Sequence, residues 1–285
     1  MAFLRIAAAC ASLSLLCPDA TAETQRGIVY ARPDGARLLL DARIPNGMGP
    51  FPAVVIVHGG AWIGGTRGFD VSPLFRPLAD AGFATFSISY RLARKPLSGS
   101  VIDSARIVDA IDDVQAAVAF VRGRAKEFNI DPSRIALLGE SAGAQLAAMA
   151  AIRGHDATAV NTVVVIACPS DLTALSQGPK FVPGPFRNAL ARFTWGSSTH
   201  SNMRDLSPIA NIRPEMPPFL FIHGTADLVV PFAQSVAMCD EMRESGAKCQ
   251  VYPVKGGIHG IRFWEALHKT AYKQAIVDWL TSPRL

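Results

Sequence analysis

Short apolar runs alternate with helical patterns along most of the chain. The runs AVVIV, VVVIA and FLFI are continuously apolar, as expected for strands that are covered on both faces. The predicted strands are 27–31, 37–44, 53–58, 84–89, 134–138, 160–168, 219–223 and 250–254. The predicted helices are 72–81, 107–128, 142–152, 233–245 and 263–280. Two early strands followed by strand–helix alternation predict an α/β fold, with a mostly parallel eight-stranded sheet and helices on both sides.

One long segment, residues 169–218, interrupts this alternation. It is rich in Pro, Gly, Ser and Asn, and its aromatic residues include Phe181, Phe186, Phe193 and Trp195. Long irregular inserts in compact domains are often lids or binding loops, so we predict a lid-like insert. The same aromatics would also pack the insert onto its own domain, and both interpretations stay open. Without an internal repeat or linker, residues 23–285 are predicted to form one catalytic domain.

The first 22 residues have the pattern of a secretory signal peptide. Arg5 precedes an apolar stretch, 6–16, and Ala20-Thr21-Ala22 is a small-x-small cleavage site. The stretch is too short for a stable membrane anchor. We therefore predict export to the periplasm or the extracellular space; the alternative is an ordinary N-terminal helix.

Composition and charge narrow the class of protein further. The 285-residue chain is 49% hydrophobic and 18% charged, with a formal net charge of +5. Its basic residues are dispersed, which indicates a solvated surface and no nucleic-acid partner. In an oxidising compartment, Cys239 and Cys249 are a possible disulfide, with two buried thiols as the alternative. No Cys/His spacing indicates a metal site.

Candidate chemistry begins at GESAG, residues 139–143. The apolar run RIALL precedes Ser141, and the helix-forming run 142–152 follows it. A strand, a glycine-pinched turn and a helix are the parts of a nucleophile elbow, in which a serine projects from the sheet edge. Glu140 beside it is interpreted as an anchor of the turn, with a role in proton transfer as the alternative.

A serine nucleophile needs a base, and the base needs an orienting acid. His259 lies in the glycine-rich loop GGIHGI after a predicted strand, which favours it over His268 inside the predicted last helix. Asp227 follows the strand FLFIHG and precedes His259 by 32 residues, room for one helix and one strand. Asp171 also follows a strand and is the alternative acid.

The charge that develops on a substrate carbonyl also needs hydrogen-bond donors. The backbone N–H groups of Gly59 and Gly60, in HGGAW after the AVVIV strand, and of Ala142 are predicted to form this oxyanion hole. Trp62 is predicted to bind substrate; the alternative is that it wedges the oxyanion loop in place.

Together, GESAG, HGGAW, HGTAD with its following VP, and GGIHG resemble motifs of the exported feruloyl-esterase-like (BD-FAE) and hormone-sensitive-lipase-like α/β-hydrolases. The resemblance covers nearly the whole chain after residue 22. It implies Ser141 as nucleophile, His259 as base and Asp227 as its orienter. Ala61 replaces a third glycine that is frequent in these families.

The sequence therefore predicts a secreted or periplasmic serine carboxylesterase that cleaves short-chain or aryl esters, such as feruloyl or acetyl esters, without a cofactor. Its partner would be a small-molecule or polysaccharide-linked ester. An arylformamidase or a serine peptidase uses the same chemistry on the same fold. A non-catalytic binding module on a hydrolase scaffold is the alternative from a different class.

Overall fold

A computed structural model describes residues 23–68, 71–92, 106–177 and 200–282, with the side chains of 177 and 200–202 excepted. The predicted signal peptide and the four aromatic residues of the predicted insert lie outside these ranges. No helix of the described ranges is long and apolar enough to cross a membrane.

Eight strands form one sheet in the order β1-β2-β4-β3-β5-β6-β7-β8. They are β1 (Glu23–Ala31), β2 (Leu38–Ile44), β3 (Phe51–Val57), β4 (Ala84–Ile88), β5 (Ile130–Glu140), β6 (Thr162–Ile166), β7 (Phe219–Gly224) and β8 (Cys249–Val254). The pairs β1–β2 and β2–β4 are antiparallel, and all other pairs are parallel. The predicted mostly parallel, eight-stranded α/β sheet is therefore confirmed.

Helices cover both faces of this sheet. They are α1 (Phe75–Asp80), α2 (Ile107–Gly123), α3 (Ala142–Ile152), α4 (Leu172–Gln177), α5 (His200–Asp205), α6 (Ala233–Glu244), α7 (Ile261–Ala266) and α8 (Tyr272–Thr281). Alternate residues of β3 divide between two apolar cores: Val55 and Val57 pack with α2 and α3, and Val54 and Ile56 with α1, α7 and α8. Burial on both faces explains why the central strands are apolar without interruption.

The last predicted helix, 263–280, is wrong in one respect, because the structure breaks it into α7 and α8. His268 lies in the intervening turn with φ 55°, and the N–H of Lys269 bonds back to the carbonyl of Trp264. Trp264 and Tyr272, on either side of the break, meet edge to face with ring centroids 5.2 Å apart. Because both helices pack against the same core, the helical spacing of apolar residues continues in the sequence across the break between α7 and α8.

The parallel strands place four connecting loops at one edge of the sheet. The loops after β3, β5, β7 and β8 begin at the carboxyl ends of these strands, and such ends meet at the same edge. They contain the four motifs in which the predicted catalytic and oxyanion-hole residues lie. The sheet therefore brings those residues together although they are up to 200 positions apart in the chain.

At the opposite edge, Cys239 of α6 and Cys249 of β8 are joined by a disulfide, with 5.6 Å between their Cα atoms. Cys168 is a free, buried thiol whose pKa is raised by desolvation.

Closing the ten-residue span between Cys239 and Cys249 is expected to stabilise the fold by about 2–3 kcal/mol. Alkylation of the denatured, unreduced chain from residue 23 onward should label Cys168 alone. Reductant should lower the urea midpoint of the wild type but not that of a Cys239→Ala/Cys249→Ala variant. Three labelled cysteines, with no effect of reductant on the wild type, would contradict this expectation.

Candidate active site

Ser141 lies at the sharp turn between β5 and α3. Its backbone has φ 52° and ψ −119°, a strained conformation for a residue with a side chain. The N–H of Ser141 donates to the carbonyl of Ile166 at 2.8 Å, and every residue of α3 is buried. The surrounding structure therefore holds the strained turn, and it presents the Ser141 hydroxyl at the sheet edge where the four loops meet.

The turn also requires a very close approach of helix and strand at Gly143. A Cβ atom added there would lie 2.3 Å from the carbonyl oxygens of both Val57 and His58. Real atoms do not approach so closely, so only glycine fits. This contact places the loop after β3, with Gly59 and Gly60, directly beside Ser141.

The predicted base and acid lie next to the serine in a hydrogen-bonded chain. The Oγ atom of Ser141 is 2.9 Å from Nε2 of His259, and Nδ1 of His259 is 2.7 Å from Oδ2 of Asp227. With the proton on Nδ1 bonded to Asp227, Nε2 is free to accept the Ser141 proton. The arrangement is therefore competent for general-base activation of the hydroxyl.

Asp227 is held ionised by its surroundings. Its side chain is fully buried, and its Oδ1 atom accepts the N–H groups of Val229 and Val230, both at 2.9 Å. Burial raises the pKa of Asp227. Hydrogen bonds from His223, His259 and the N–H of Val230, together with the charge on His259, lower it by more, so that the pKa lies well below its ordinary value. The carboxylate therefore stays charged and can stabilise an imidazolium at His259.

His223 is a buried histidine that sequence reasoning did not assign. Its Nε2 atom is 2.9 Å from the carbonyl of Val230 and 3.4 Å from Oδ2 of Asp227, and its Nδ1 atom is 2.7 Å from Oγ of Ser235. It thus ties β7 to the loop carrying Asp227. The sequence feature that could have identified His223 is its position in the HGTAD motif, four residues before Asp227.

Glu140 anchors the histidine loop to the elbow. Its Oε1 atom accepts the N–H of Ile261 at 2.8 Å, and it is 5% exposed. This bond fixes the segment two residues after His259 to the residue just before Ser141. The contact fits the predicted anchoring role better than a role in proton transfer.

The predicted oxyanion donors are close to the serine: Ala142 directly follows it, and a Cβ atom added at Gly59 would lie 3.4 Å from Cβ of Ser141. Within the described ranges, the N–H groups of Gly59, Gly60 and Ala142 bond to no other protein group. The φ of Gly60 is +119°, and a Cβ there would lie 2.3 Å from the carbonyl oxygen of Gly64. Only glycine therefore fits at this position of the loop.

Trp62 lies in the apolar core, not on the cleft. It is 1% exposed, and its Nε1 donates to Oε1 of Gln145 at 2.9 Å. The prediction that it binds substrate is therefore corrected in favour of the alternative, in which it wedges the oxyanion loop. Gln145 in turn donates to the carbonyl of Leu206 at 2.8 Å. The sequence could have indicated this role, because Gln145 is the single polar residue in the otherwise apolar α3.

The two alternative residues lie elsewhere. Asp171 accepts the N–H of Ala174 at 2.9 Å and caps the first turn of α4. His268 is exposed in the turn before α8. Neither bonds to the chain of Ser141, His259 and Asp227.

A shallow cleft of about 280 Å³ opens onto Ser141 and His259. Apart from these two, its lining residues are Gly59, Gly60, Ala61, Glu140, Val229, Gly260, Arg262 and Phe263. No group of three or more His, Cys, Asp or Glu side chains in the described part of the chain is arranged to hold a metal ion.

The sheet order, the strand–turn–helix at Ser141 and the placement of the loops define the α/β-hydrolase fold. The BD-FAE family model matches residues 40–242, and the chain belongs to this family. A solved structure titled "truncated form of carbohydrate esterase from gut microbiota" is similar to the chain, with a TM-score of 0.73 and 25% identity, over 93% of this chain and 98% of that one.

Two curated relatives come from Mycobacterium tuberculosis (strain ATCC 25618 / H37Rv). The probable carboxylic ester hydrolase LipM is 29% identical over 72% of this chain and 48% of its own length. The esterase LipC is 30% identical over 74% of this chain and 53% of its own length. The chain thus spans about half the length of these relatives.

The depressed pKa of Asp227 predicts a pH-dependent contribution to stability. Because the folded pKa lies below the unfolded value of about 3.9, ionised Asp227 stabilises the fold above that value, and this stabilisation is lost as the pH falls through the folded pKa. The difference in unfolding free energy between the wild type and Asp227→Asn should therefore shrink toward acid pH, as measured by urea unfolding at several pH values.

The exposed Asp240, which pairs with Arg243 at 3.2 Å, provides the matched control. The variant Asp240→Asn should differ little from the wild type at any pH, as expected for an exposed pair. A difference for Asp227→Asn that stays constant, or grows toward acid pH, would contradict the expected linkage.

Proposed function

We propose that this protein is a serine carboxylic-ester hydrolase that is exported and cleaves short-chain or aryl esters through an acyl-enzyme. The observation that carries the proposal is the hydrogen-bonded chain from Ser141 through His259 to Asp227. Such a chain activates a hydroxyl that is otherwise a weak nucleophile.

In the first step, His259 Nε2 takes the Ser141 proton while Oγ attacks the ester carbonyl carbon. The resulting imidazolium lies 2.7 Å from the ionised carboxylate of Asp227, which stabilises it without becoming protonated. His259 then gives the proton to the leaving alcohol as the tetrahedral intermediate collapses. In the second step, a water molecule attacks the acyl carbon while His259 Nε2 takes its proton. His259 then returns this proton to Oγ of Ser141 as the carboxylic acid leaves.

The N–H groups of Gly59, Gly60 and Ala142 stabilise the negative oxygen of both tetrahedral intermediates. Each such donor is typically worth about two to three orders of magnitude in kcat. Because the donors belong to the rigid backbone around Gly60 and Gly143, they need no rearrangement during the reaction. The chemistry is complete with groups of this chain and uses no cofactor.

Ester cleavage is further supported by the relatives, whose names describe carboxylic ester hydrolases and esterases. The cleft of about 280 Å³ is at the small end of ligand sites, which favours a short acyl or single-ring group. Export is supported by the signal-peptide pattern of residues 1–22 and by the disulfide between Cys239 and Cys249, since disulfides persist in oxidising compartments.

The first test is hydrolysis of p-nitrophenyl esters from acetyl to dodecanoyl, with methyl ferulate alongside. We expect kcat/KM to peak at short acyl chains, and Ser141→Ala to lower kcat by about four orders of magnitude or more. A phosphonate serine reagent should label the wild type at Ser141, as read by mass spectrometry of the peptides.

The variant Ser245→Ala, at the end of α6 away from the cleft, should keep full activity and labelling. If the protein cleaved anilide or formamide substrates but no esters, the result would support an arylformamidase or a peptidase instead of an esterase. A folded wild type that neither turns over esters nor reacts with the phosphonate would leave the non-catalytic binding module instead.

A further inference from the structure

Exposed apolar side chains of this protein are concentrated around the candidate catalytic site. Among the described residues, the exposed large hydrophobics are Met48, Leu228, Ile258, Phe263 and Leu267. All but Met48 lie on the two segments that follow Asp227 and surround His259. Such a concentration of apolar surface at a cleft typically marks a site for an apolar group of a ligand.

Three of these side chains, Leu228, Ile258 and Phe263, together with the half-buried Val229, form what we call the apolar rim. Val229 and Phe263 line the same cleft as Ser141 and His259. Phe263 is 57% exposed, and the Cδ2 atom of its ring lies 3.7 Å from the position a Cβ of Gly260 would take. The ring therefore stands beside the residue that directly follows His259.

The positions of Ser141, His259 and the predicted oxyanion donors determine which part of an ester would contact the apolar rim. With the carbonyl carbon at Ser141 Oγ, the carbonyl oxygen points to the N–H groups of the oxyanion loop. The leaving oxygen must lie near His259 Nε2, because it receives its proton there. The alcohol group bonded to that oxygen therefore extends past His259, over the segments that carry the apolar rim.

We propose that the apolar rim binds the leaving alcohol of the substrate, and that this alcohol is an alkyl or single-ring aryl alcohol rather than a sugar hydroxyl. This inference rests on the proposed function. Burial of the alcohol against Val229, Ile258 and Phe263 would remove apolar surface of both partners from water, which stabilises the complex. A sugar offers less apolar surface to these side chains, so its binding there would be stabilised less. Arg262 also lines the cleft, so binding of an anionic alcohol group is the competing outcome of the test.

The experiment compares two ester series. In the first the acyl group is acetyl and the alcohol is ethanol, butanol, hexanol or benzyl alcohol; in the second the alcohol is methanol and the acyl group grows from acetyl to hexanoyl. All members of the first series share one acetyl-enzyme, so differences in kcat/KM report the alcohol alone. We expect hexyl acetate to exceed ethyl acetate by about tenfold or more. Phe263→Ser should reduce that ratio severalfold and leave the ratios in the acyl series within about twofold.

Met48→Ser is the matched control, since Met48 is fully exposed but precedes β3 and so lies at the opposite edge of the sheet. It should leave both sets of ratios unchanged. An effect of Phe263→Ser confined to the acyl series, or a wild-type preference for acetylated sugars or anionic alcohol groups over hexyl acetate, would overturn the inference. Both outcomes require ester turnover and so differ from failure of the proposed function, in which the wild type hydrolyses no ester and is not labelled at Ser141.

Discussion

The contact between the end of β3 and the first turn of α3 is the constraint on which this site depends. Because a Cβ at Gly143 would overlap the carbonyl oxygens of Val57 and His58, helix and strand touch through bare backbone. That contact forces the chain through the strained turn at Ser141, with φ 52°. It also brings the oxyanion loop within reach of the hydroxyl. The proposed nucleophile and the proposed oxyanion donors are thus positioned by one contact between elements that are buried and closely packed.

Buried polar side chains extend this constraint to loops that the sheet alone would leave free. Glu140 bonds the backbone of Ile261 and thereby fixes the segment carrying His259. Gln145 accepts a hydrogen bond from Trp62 and thereby fixes the loop that carries Gly59 and Gly60. His223 joins β7 to Val230 and Asp227. A buried polar group without a partner costs about 1–3 kcal/mol, so each of these bonds also penalises displacement of its loop.

The sheet was predictable from sequence because central strands buried on both faces leave continuous apolar runs, as in AVVIV and FLFI. Ser141 and Asp227 were identifiable because each follows such a run, and His259 because it lies in a glycine-rich loop after a predicted strand. The structure places the three residues in one hydrogen-bonded chain. The break at His268 was not predictable, since Trp264 and Tyr272 serve one core on both sides of it. The position of Trp62 was also left open, because its partner Gln145 is 83 residues away and only the fold brings the two together.

These two sets of contacts divide the site into parts with different tolerance to substitution. Gly143, Gln145 and Glu140 are buried and act on backbone geometry, so a change there alters stability and catalysis together. Phe263 and Leu228 are 57% and 74% exposed, and their replacement costs the fold little because little of their surface is buried. The residues of the apolar rim can therefore be substituted while the hydrogen bonds that join Ser141, His259 and Asp227 keep their geometry. The proposed selectivity for the leaving alcohol can then vary on the same segments that hold His259 and Asp227 in place.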